Sequence, residues 1–257
     1  MKNNKLLIII LSLLLIIFAL LVGLLINKIT TNSETTTETT TETTTIDNQS
    51  VGLPIEKDVI LPLTEDKGWD YIDKIYFVGD STTYHFHKGG IDKSHIFVPE
   101  SLTMTLNSNI NNIIVGDKGL TISQALADVN AEIVVLTLGI NGADNFTETK
   151  YKTYYKKLID NIQDMSPNTK IIIQSVFPVT KNYSDKTNGI SNESIDRLNE
   201  WAKEIAADEG LRYLDTQSIL KDENGAQFEY YNVQDGVHMN ADAYNAIIEY
   251  IKTHAIE

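Results

Sequence analysis

Cysteine is absent from this 257-residue chain, and cationic side chains are scarce beside acidic ones. The absence of cysteine excludes disulfides, thiolate metal sites, a thiol nucleophile and an anchor built on a lipid-modified cysteine. The chain has 21 Lys and Arg against 35 Asp and Glu, and this acidic balance argues against nucleic-acid binding, which needs a cationic surface. Hydrophobic residues make up 42% of the chain, as in globular proteins, so wholesale disorder is not expected.

The N-terminus carries a long hydrophobic run. Residues 6–26 have no charged side chain and are mostly Leu and Ile. At about 1.5 Å per residue the run extends roughly 30 Å, the hydrocarbon thickness of a bilayer. Lys2 and Lys5 precede it and favour a cytoplasmic N-terminus. A cleaved signal peptide is the alternative, but the run exceeds the usual apolar region of about 7–15 residues and no A-x-A-like site follows. We therefore predict one uncleaved transmembrane helix, a membrane anchor, within residues 1–28.

Residues 29–65 have the composition of a tether. Between positions 30 and 45 the chain is rich in Thr and Glu and has no large apolar side chain, so it cannot bury enough surface to offset its ordering entropy. Pro54 and Pro62 then oppose regular structure. Because three of the cations lie in or beside the anchor, the outer portion is more acidic than the chain as a whole, which disfavours close approach to anionic headgroups. We expect residues 66–257 to form a domain that stands off the membrane.

The domain over residues 66–257 is predicted to be α/β, because strand and helix patterns alternate along it. Short apolar runs indicate strands at 74–78, 95–98, 113–115, 133–138, 170–176 and 212–214. Helical spacing of apolar residues indicates helices at 121–129, 151–165, 191–208 and 240–254. The strand runs are continuous rather than alternating, which favours a parallel sheet covered on both faces, a three-layer α/β/α sandwich.

Two details of this prediction concern particular side chains. The helix over 151–165 is predicted to carry an apolar stripe of Tyr154, Leu158, Ile162 and Met165. Residues 103–115 are predicted to form an inserted β-hairpin, in which positions 104–106 and 113–115 supply the two strands. Such an insertion would help to shape a substrate cleft.

Two polar motifs directly follow predicted strands, where sites form in α/β sheets. The motif Gly79-Asp80-Ser81-Thr82 follows the first strand, so Ser81 can present its hydroxyl at the edge of the sheet. Asn141 follows the strand over 133–138 and offers a neutral amide donor between Gly139 and Gly142, which allow a ligand to approach closely. A simple strand-to-helix turn and an Asn-Gly turn are the alternative interpretations.

A third motif, Asp235-Gly236-Val237-His238, lies just before the last predicted helix. A carboxylate three residues before a histidine can accept the imidazole N–H, hold its tautomer and stabilise the imidazolium. The alternative is a surface Asp and His, with Asn240 as the cap of the helix.

The order of these motifs, Ser after the first strand, Asn after a middle strand and Asp-x-x-His before the last helix, resembles the SGNH (GDSL-type) hydrolase family. The resemblance covers roughly residues 70–255 and implies a flavodoxin-like parallel sheet of about five strands. It implies that Ser81 is the nucleophile, His238 the general base and then acid, and Asp235 the orienting carboxylate. It also implies an oxyanion hole formed by the backbone N–H of Ser81 and the side chain of Asn141.

Some positions depart from the family pattern or fall outside it. The family has Asp after the oxyanion Asn, whereas this chain has Gly142. For the further oxyanion-hole donor of the family's second block, Ser101 is the first candidate by position and Gly119 the second. Asp80, next to the implied nucleophile, is expected to brace the turn by accepting backbone N–H bonds rather than to join the triad.

Two further pairs of residues have alternative interpretations. His85 and His87 could ligate a metal, but no third ligand is apparent, so we expect them to line or flank the cleft and predict no metal and no cofactor. Tyr230 and Tyr231 could stack on a sugar ring or pack against the domain, and packing is favoured.

These features together predict an extracellular serine esterase tethered to the cell membrane by one span, with a cytoplasmic N-terminus. Its expected substrate is an acylated small molecule or glycan, foremost an O-acetyl group on a polysaccharide or cell-envelope glycan. An O-acyltransferase with the same triad and a non-catalytic glycan-binding surface module are the alternatives. A nucleotide-binding domain is less favoured, because the chain lacks both G-x-G-x-x-G and a P-loop lysine. No nucleic-acid partner is expected, and the oligomeric state is left open.

Overall fold

The computed structural model describes residues 59–99, 113–186 and 189–257. These ranges leave out the predicted anchor, residues 29–58 of the predicted tether, Ser101 and the first strand of the predicted hairpin. Among the helices within them, none is long and apolar enough to cross a membrane.

Seven strands and seven α-helices in the described ranges carry the fold. The strands are β1 (Ile75–Gly79), β2 (Ile96–Phe97), β3 (Ile113–Val115), β4 (Lys118–Leu120), β5 (Ile133–Thr137), β6 (Lys170–Gln174) and β7 (Arg212–Leu214). The helices are α1 (Gly68–Ile72), α2 (Ser81–Tyr84), α3 (Ile122–Asp128), α4 (Glu148–Met165), α5 (Lys181–Lys186), α6 (Asn192–Asp208) and α7 (Ala241–Lys252). Short 3₁₀ turns, among them His85–Gly89 and Glu229–Tyr231, connect some of these elements.

Five strands form one parallel sheet in the order β2-β1-β5-β6-β7. Numbered within the sheet, this is the 2-1-3-4-5 order of flavodoxin-like folds, so the predicted α/β fold with a parallel five-stranded sheet is confirmed. The strand order reverses between β1 and β5, and Gly79 at the end of β1 lies opposite Thr137 at the end of β5. The carboxyl ends of these two strands therefore frame the crevice in which open α/β sheets bind ligands.

Both faces of the sheet are buried. On β5, Val134 and Leu136 point to one face while Ile133 and Val135 point to the other, and none of the four is more than 3% exposed. The first face packs against α3, α4 and α6, and the second against α1 and α7. Burial on both faces explains why the strands are continuous apolar runs, and it produces three layers.

The predicted apolar stripe of α4 was wrong at two positions. The buried side chains of the helix are Tyr151, Tyr155, Leu158, Ile159 and Ile162. Tyr154 is 37% exposed and Met165 is 48% exposed. The buried face is turned toward Tyr155 and Ile159, which leaves Tyr154 at its edge and Met165 on the last turn.

The position of β3 also differs from the prediction. It forms an antiparallel pair with β4, in which Ile113 lies opposite Leu120, instead of joining the parallel sheet. Gly116, with a φ of +60°, allows the tight turn between the two strands. The hairpin thus extends downstream of residue 113, and the upstream partner expected at 104–106 lies outside the described residues.

Candidate active site

Ser81 is the first residue of α2, directly after the tight turn that follows β1. Asp80 is the N-cap of α2, and its Oδ1 accepts hydrogen bonds from the backbone N–H of Thr82 at 3.0 Å and from the Thr82 hydroxyl at 2.8 Å. Gly79 is required here, since a Cβ would lie 1.9 Å from Thr83 Oγ1 and 2.8 Å from the carbonyl oxygen of Thr137. The turn therefore fits against the neighbouring strand only without a side chain at position 79.

A chain of hydrogen bonds runs from Ser81 through His238 to Asp235. The Ser81 Oγ and the His238 Nε2 are 2.8 Å apart, and the His238 Nδ1 is 2.7 Å from Asp235 Oδ2. Because an ionised carboxylate only accepts hydrogen bonds, His238 Nδ1 carries the proton and Nε2 has the lone pair that faces the serine hydroxyl. This is the geometry in which an imidazole can remove the serine proton.

Asp235 is held as a carboxylate by its own loop. Its Oδ1 accepts the backbone N–H groups of Val237 and His238, each at 2.8 Å, while Oδ2 faces the imidazole. Partial burial acts to raise the pKa of Asp235, but the hydrogen bonds from Val237 and His238 outweigh it, and the pKa lies below its ordinary value. Asp235 is therefore charged at neutral pH and can stabilise an imidazolium on His238.

The loop that carries Asp235 and His238 is fixed by neighbouring segments. The Gly236 carbonyl accepts from the N–H of Thr180 at 2.9 Å, and the Gly236 N–H donates to Asn232 Oδ1 at 3.0 Å. Asn232 also donates to the His238 carbonyl at 3.1 Å. Asn240 then caps α7 through its side-chain oxygen, which accepts the N–H of Ala243. The third motif therefore both begins the last helix and presents an ordered Asp-His pair.

Asn141 reaches the same crevice from the end of β5. Gly139, with a φ of +132°, turns the chain out of the strand, and the buried hydroxyl of Tyr151 donates to the Leu138 carbonyl at 3.1 Å. The Asn141 amide nitrogen donates to Asp80 Oδ2 at 3.1 Å. The sequence predicted that Asp80 braces its own turn, but it did not predict this contact with Asn141. The contact depends on the adjacency of β1 and β5, which the sequence alone does not specify.

Asp80 is the buried acid of the site, at 1% exposure. Burial raises its pKa to about 6, against the opposing effects of the hydrogen bonds from Thr82 and of the nearby His238. The hydrogen bonds of the Asp80 side chain go to Thr82 and Asn141 and not to the His238 imidazole. Asp80 therefore lies beside the hydrogen-bonded chain of Ser81, His238 and Asp235 and is not a member of it.

A pocket of about 290 Å³ opens above Ser81. It is lined by Ser81, Ile140, Asn141, Tyr183, Ile190, Asp235, Val237 and His238. Tyr183 from α5 and Ile190 before α6 were not singled out by the sequence, because no motif marks apolar wall residues. A larger cavity of about 630 Å³ lies between the lead-in to α1 and the C-terminus, and it includes none of the triad residues.

An ester carbonyl that entered the pocket would meet two kinds of group. Ser81 Oγ can attack the carbon, and the Ser81 backbone N–H and the Asn141 amide can donate to the oxygen. Of the two candidates for a further donor, Ser101 lies outside the described residues. Gly119 lies in β4, opposite Ile114, and is not among the residues that line the pocket.

His85 and His87, the histidines that could have ligated a metal, have different neighbours. The His85 ring stands edge-on to His238, with ring centroids 5.2 Å apart, and burial lowers the pKa of His85 to about 4. His87 Nδ1 lies 2.7 Å from the Tyr84 carbonyl oxygen. In the described part of the chain, no group of three or more His, Cys, Asp or Glu side chains could hold a metal ion.

Tyr230 and Tyr231, which precede the loop of Asp235 and His238, also lie in different environments. Tyr231 packs against the core, whereas Tyr230 is 64% exposed and stacks on Phe228 with ring centroids 4.9 Å apart. Tyr231 therefore packs against the core, whereas Tyr230 packs on the rings of Phe228 and Tyr231 and is otherwise exposed.

Comparison with known proteins identifies similar sequences and structures. A family model described as GDSL-like lipase/acylhydrolase matches residues 77–246, a range that includes Ser81, Asn141, Asp235 and His238. No curated protein matches the chain.

Several solved structures are similar. A candidate platelet activating factor from Streptococcus pneumonia is 19% identical, with a TM-score of 0.50 over 77% of this chain and 86% of its own. A carbohydrate acetylesterase from Sinorhizobium meliloti is 14% identical, with a TM-score of 0.44 over 69% of this chain and 95% of its own. The periplasmic domain of a lipopolysaccharide acetyltransferase from Salmonella ser. Paratyphi A is 16% identical, with a TM-score of 0.46 over 69% of this chain and 81% of its own. At 19% identity, the first of these likenesses shows a shared fold.

Proposed function

The chain belongs to the GDSL-like lipase/acylhydrolase family and is a serine esterase acting on carboxylic ester bonds, and we propose that it removes short acyl groups from an O-acylated glycan. The observation that carries this proposal is the hydrogen-bonded chain of Ser81, His238 and Asp235 at a small pocket beside the Asn141 amide. O-acetyl groups on a polysaccharide or cell-envelope glycan are the proposed substrates.

The reaction has two halves. Ser81 Oγ attacks the ester carbonyl carbon while His238 Nε2 takes the hydroxyl proton, and the Asn141 amide and the Ser81 N–H donate to the oxyanion. The tetrahedral adduct collapses when the glycan oxygen leaves with the proton from His238, and an acyl-serine remains. Water then attacks this ester and gives a proton to His238. The second adduct collapses when His238 returns the proton to Ser81 Oγ, which releases the carboxylic acid and free Ser81.

The shape of the pocket supports a short acyl group. At about 290 Å³ its volume is at the lower end of the range of ligand pockets, roughly 300–1,000 Å³. The apolar side chains of Ile140, Tyr183, Ile190 and Val237 suit a methyl or short alkyl chain. None of the lining residues is cationic, so the pocket offers no ion-pair partner for an anionic acyl group.

The proposed location is outside the cell, at the end of a membrane tether. Support comes from the uncharged run over residues 6–26, the Thr- and Glu-rich segment that follows, and the two lysines before the run. A tethered domain with an acidic surface would meet neutral glycans more readily than anionic lipids.

The decisive experiment compares the purified full-length protein with Ser81→Ala. We expect the wild type to hydrolyse p-nitrophenyl acetate, to release acetate from acetylated glycans, and to react covalently with a fluorophosphonate at Ser81. Ser81→Ala should lose all three activities, whereas Ser94→Ala, an exposed serine outside the pocket, should keep them. Acetate release unchanged in Ser81→Ala would refute the proposal, and transfer of acetate to a sugar acceptor in preference to water would identify an acyltransferase.

A further inference from the structure

The side chain of Asp80 joins two turns of the active site. Its Oδ1 accepts both the N–H and the hydroxyl of Thr82, on the turn that carries Ser81. Its Oδ2 accepts the amide N–H of Asn141, on the turn after β5. With the carboxyl 1% exposed, these three donors rather than solvent surround it.

The contact fixes which atom of the Asn141 amide faces Asp80. A primary amide has an oxygen that only accepts and a nitrogen with two hydrogens, and the two ends are nearly equal in size. A carboxylate at Oδ2 selects the nitrogen. One amide hydrogen then points to Asp80, and the second is available on the side of Ser81, where the two residues line the same pocket.

We propose that Asp80 is a positioning residue that holds the Asn141 amide with its nitrogen toward the oxyanion, and that it does so only while its carboxyl is ionised. The proposal rests on the function given above, since it concerns a donor to the oxyanion of ester cleavage. It assigns to Asp80 a task separate from that of Asp235, which orients the histidine.

Protonation of Asp80 would reverse the amide. Two donors already occupy Oδ1, so the proton has to reside on Oδ2, and Oδ2–H becomes a donor toward Asn141. The amide must then turn its oxygen to Asp80. An oxygen without hydrogen replaces the donor near Ser81, and its lone pairs repel an oxyanion.

The surroundings of Asp80 place this change within an accessible pH range. Burial raises the pKa of Asp80 to about 6, while the hydrogen bonds from Thr82 and the nearby His238 oppose the rise. Tyr244, which faces Asp80 from α7, is itself neutral, because burial raises its pKa far above the ordinary value. Since the ionised form is the competent one, activity should fall as the pH decreases through about 6.

A double-mutant cycle tests the role directly. Asp80→Asn keeps the size of the side chain, but its oxygen must face the Thr82 N–H, so its NH₂ turns toward Asn141. We expect kcat on p-nitrophenyl acetate to fall about 100- to 1,000-fold with KM nearly unchanged, as for removal of one oxyanion donor. Asn141→Ala should show a similar loss, and the double variant should be no slower than Asn141→Ala alone.

Two outcomes would overturn the proposal. Losses that multiply in the double variant would show that Asp80 acts independently of Asn141, and near-normal kcat in Asp80→Asn would show that the amide needs no carboxylate. Circular dichroism and thermal unfolding identify a variant that fails to fold. A wild type that is inactive while folded would instead refute the proposed function, so the two failures are distinguishable.

A pH profile gives a second test that needs no change at Asp80. Thr82→Val removes the hydroxyl donor to Oδ1 but keeps the backbone N–H, so the pKa of Asp80 should rise further. The acid limb of kcat/KM should therefore move to higher pH in Thr82→Val. In Asn141→Ala the limb should lose the Asp80 ionisation and become less steep, because no amide is left for Asp80 to orient. An acid limb of the same midpoint and slope in all three proteins would contradict the proposal.

Discussion

Replacement of Asp235 by asparagine should remove catalysis while leaving the fold in place. The two backbone N–H groups of Val237 and His238 both donate to Asp235 Oδ1. In Asp235→Asn these donors require the amide oxygen, so the new NH₂ group takes the place of Oδ2 and faces His238 Nδ1. A donor there forces Nδ1 to accept, and the imidazole proton moves to Nε2. The nitrogen that faces Ser81 then has no lone pair with which to remove the hydroxyl proton.

The size of the effect follows from the loss of the general base. The Ser81–His238 contact of 2.8 Å is retained, but its direction is reversed, with Nε2–H donating to Ser81 Oγ. The same Asp→Asn change in another Ser-His-Asp enzyme lowers kcat about 10⁴-fold with the geometry intact. A factor of 10⁴ corresponds to about 5.4 kcal/mol in the activation barrier. KM should change little, because Asn has nearly the size of Asp and the apolar side chains that line the pocket are unchanged.

The assay is steady-state hydrolysis of p-nitrophenyl acetate, with fluorophosphonate labelling of Ser81 as a second measure of nucleophile activation. Asp242→Asn, an exposed carboxylate on the first turn of α7, is the matched control and should behave as wild type. If Asp235→Asn keeps more than about a tenth of the wild-type kcat, the tautomer argument is wrong and another residue supports His238.

Two further predictions concern the turn and the pocket. Gly79→Ala places a Cβ 1.9 Å from Thr83 Oγ1. In urea titrations the free energy of unfolding should fall by about 1–3 kcal/mol, and activity should fall as well. A variant as stable as the wild type would show that the turn relaxes without cost. Tyr183→Ala should enlarge the pocket, so kcat/KM for a butyrate ester should rise several-fold relative to kcat/KM for an acetate ester. Tyr154→Ala, at an exposed position, should leave this ratio unchanged. An unchanged ratio in Tyr183→Ala would show that Tyr183 does not contact the acyl group.

The parallel sheet could be predicted because its strands are buried on both faces. Residues such as Val134 and Val135 point to opposite layers and are both fully covered, so the run over 133–138 contains no charged side chain. The helix α4 was harder, since Tyr154 and Tyr155 are chemically alike and only the sheet beneath decides which is buried. The pairing of β3 with β4 was not predicted, because a three-residue strand pairs by turn geometry, here at Gly116, more than by composition.

The candidate site was predictable where one short segment contains the whole contact. The Asp235–His238 pair lies within four residues, and its hydrogen bonds are set by the turn itself. The roles of these residues and of Ser81 stay predictions until the variants are measured. The sequence could not predict that Tyr183 and Ile190 line the pocket, because it does not distinguish an apolar residue that lines a pocket from one that packs in the core.

The contact between Asp80 and Asn141 explains how a site assembled from three separate segments can hold its geometry. The turns that carry Ser81 and Asn141 follow adjacent strands, and the Asp80 side chain accepts hydrogen bonds from both turns. Ser81 and Asn141 therefore belong to one hydrogen-bonded unit. The Asp-His loop is a second unit, and the Ser81–His238 bond connects the two. Substitutions within one unit should therefore be strongly non-additive, as Asp80 with Asn141. A change in Asp80 paired with a change in Asp235 should instead multiply until the uncatalysed rate is reached, because the two carboxylates act on different partners.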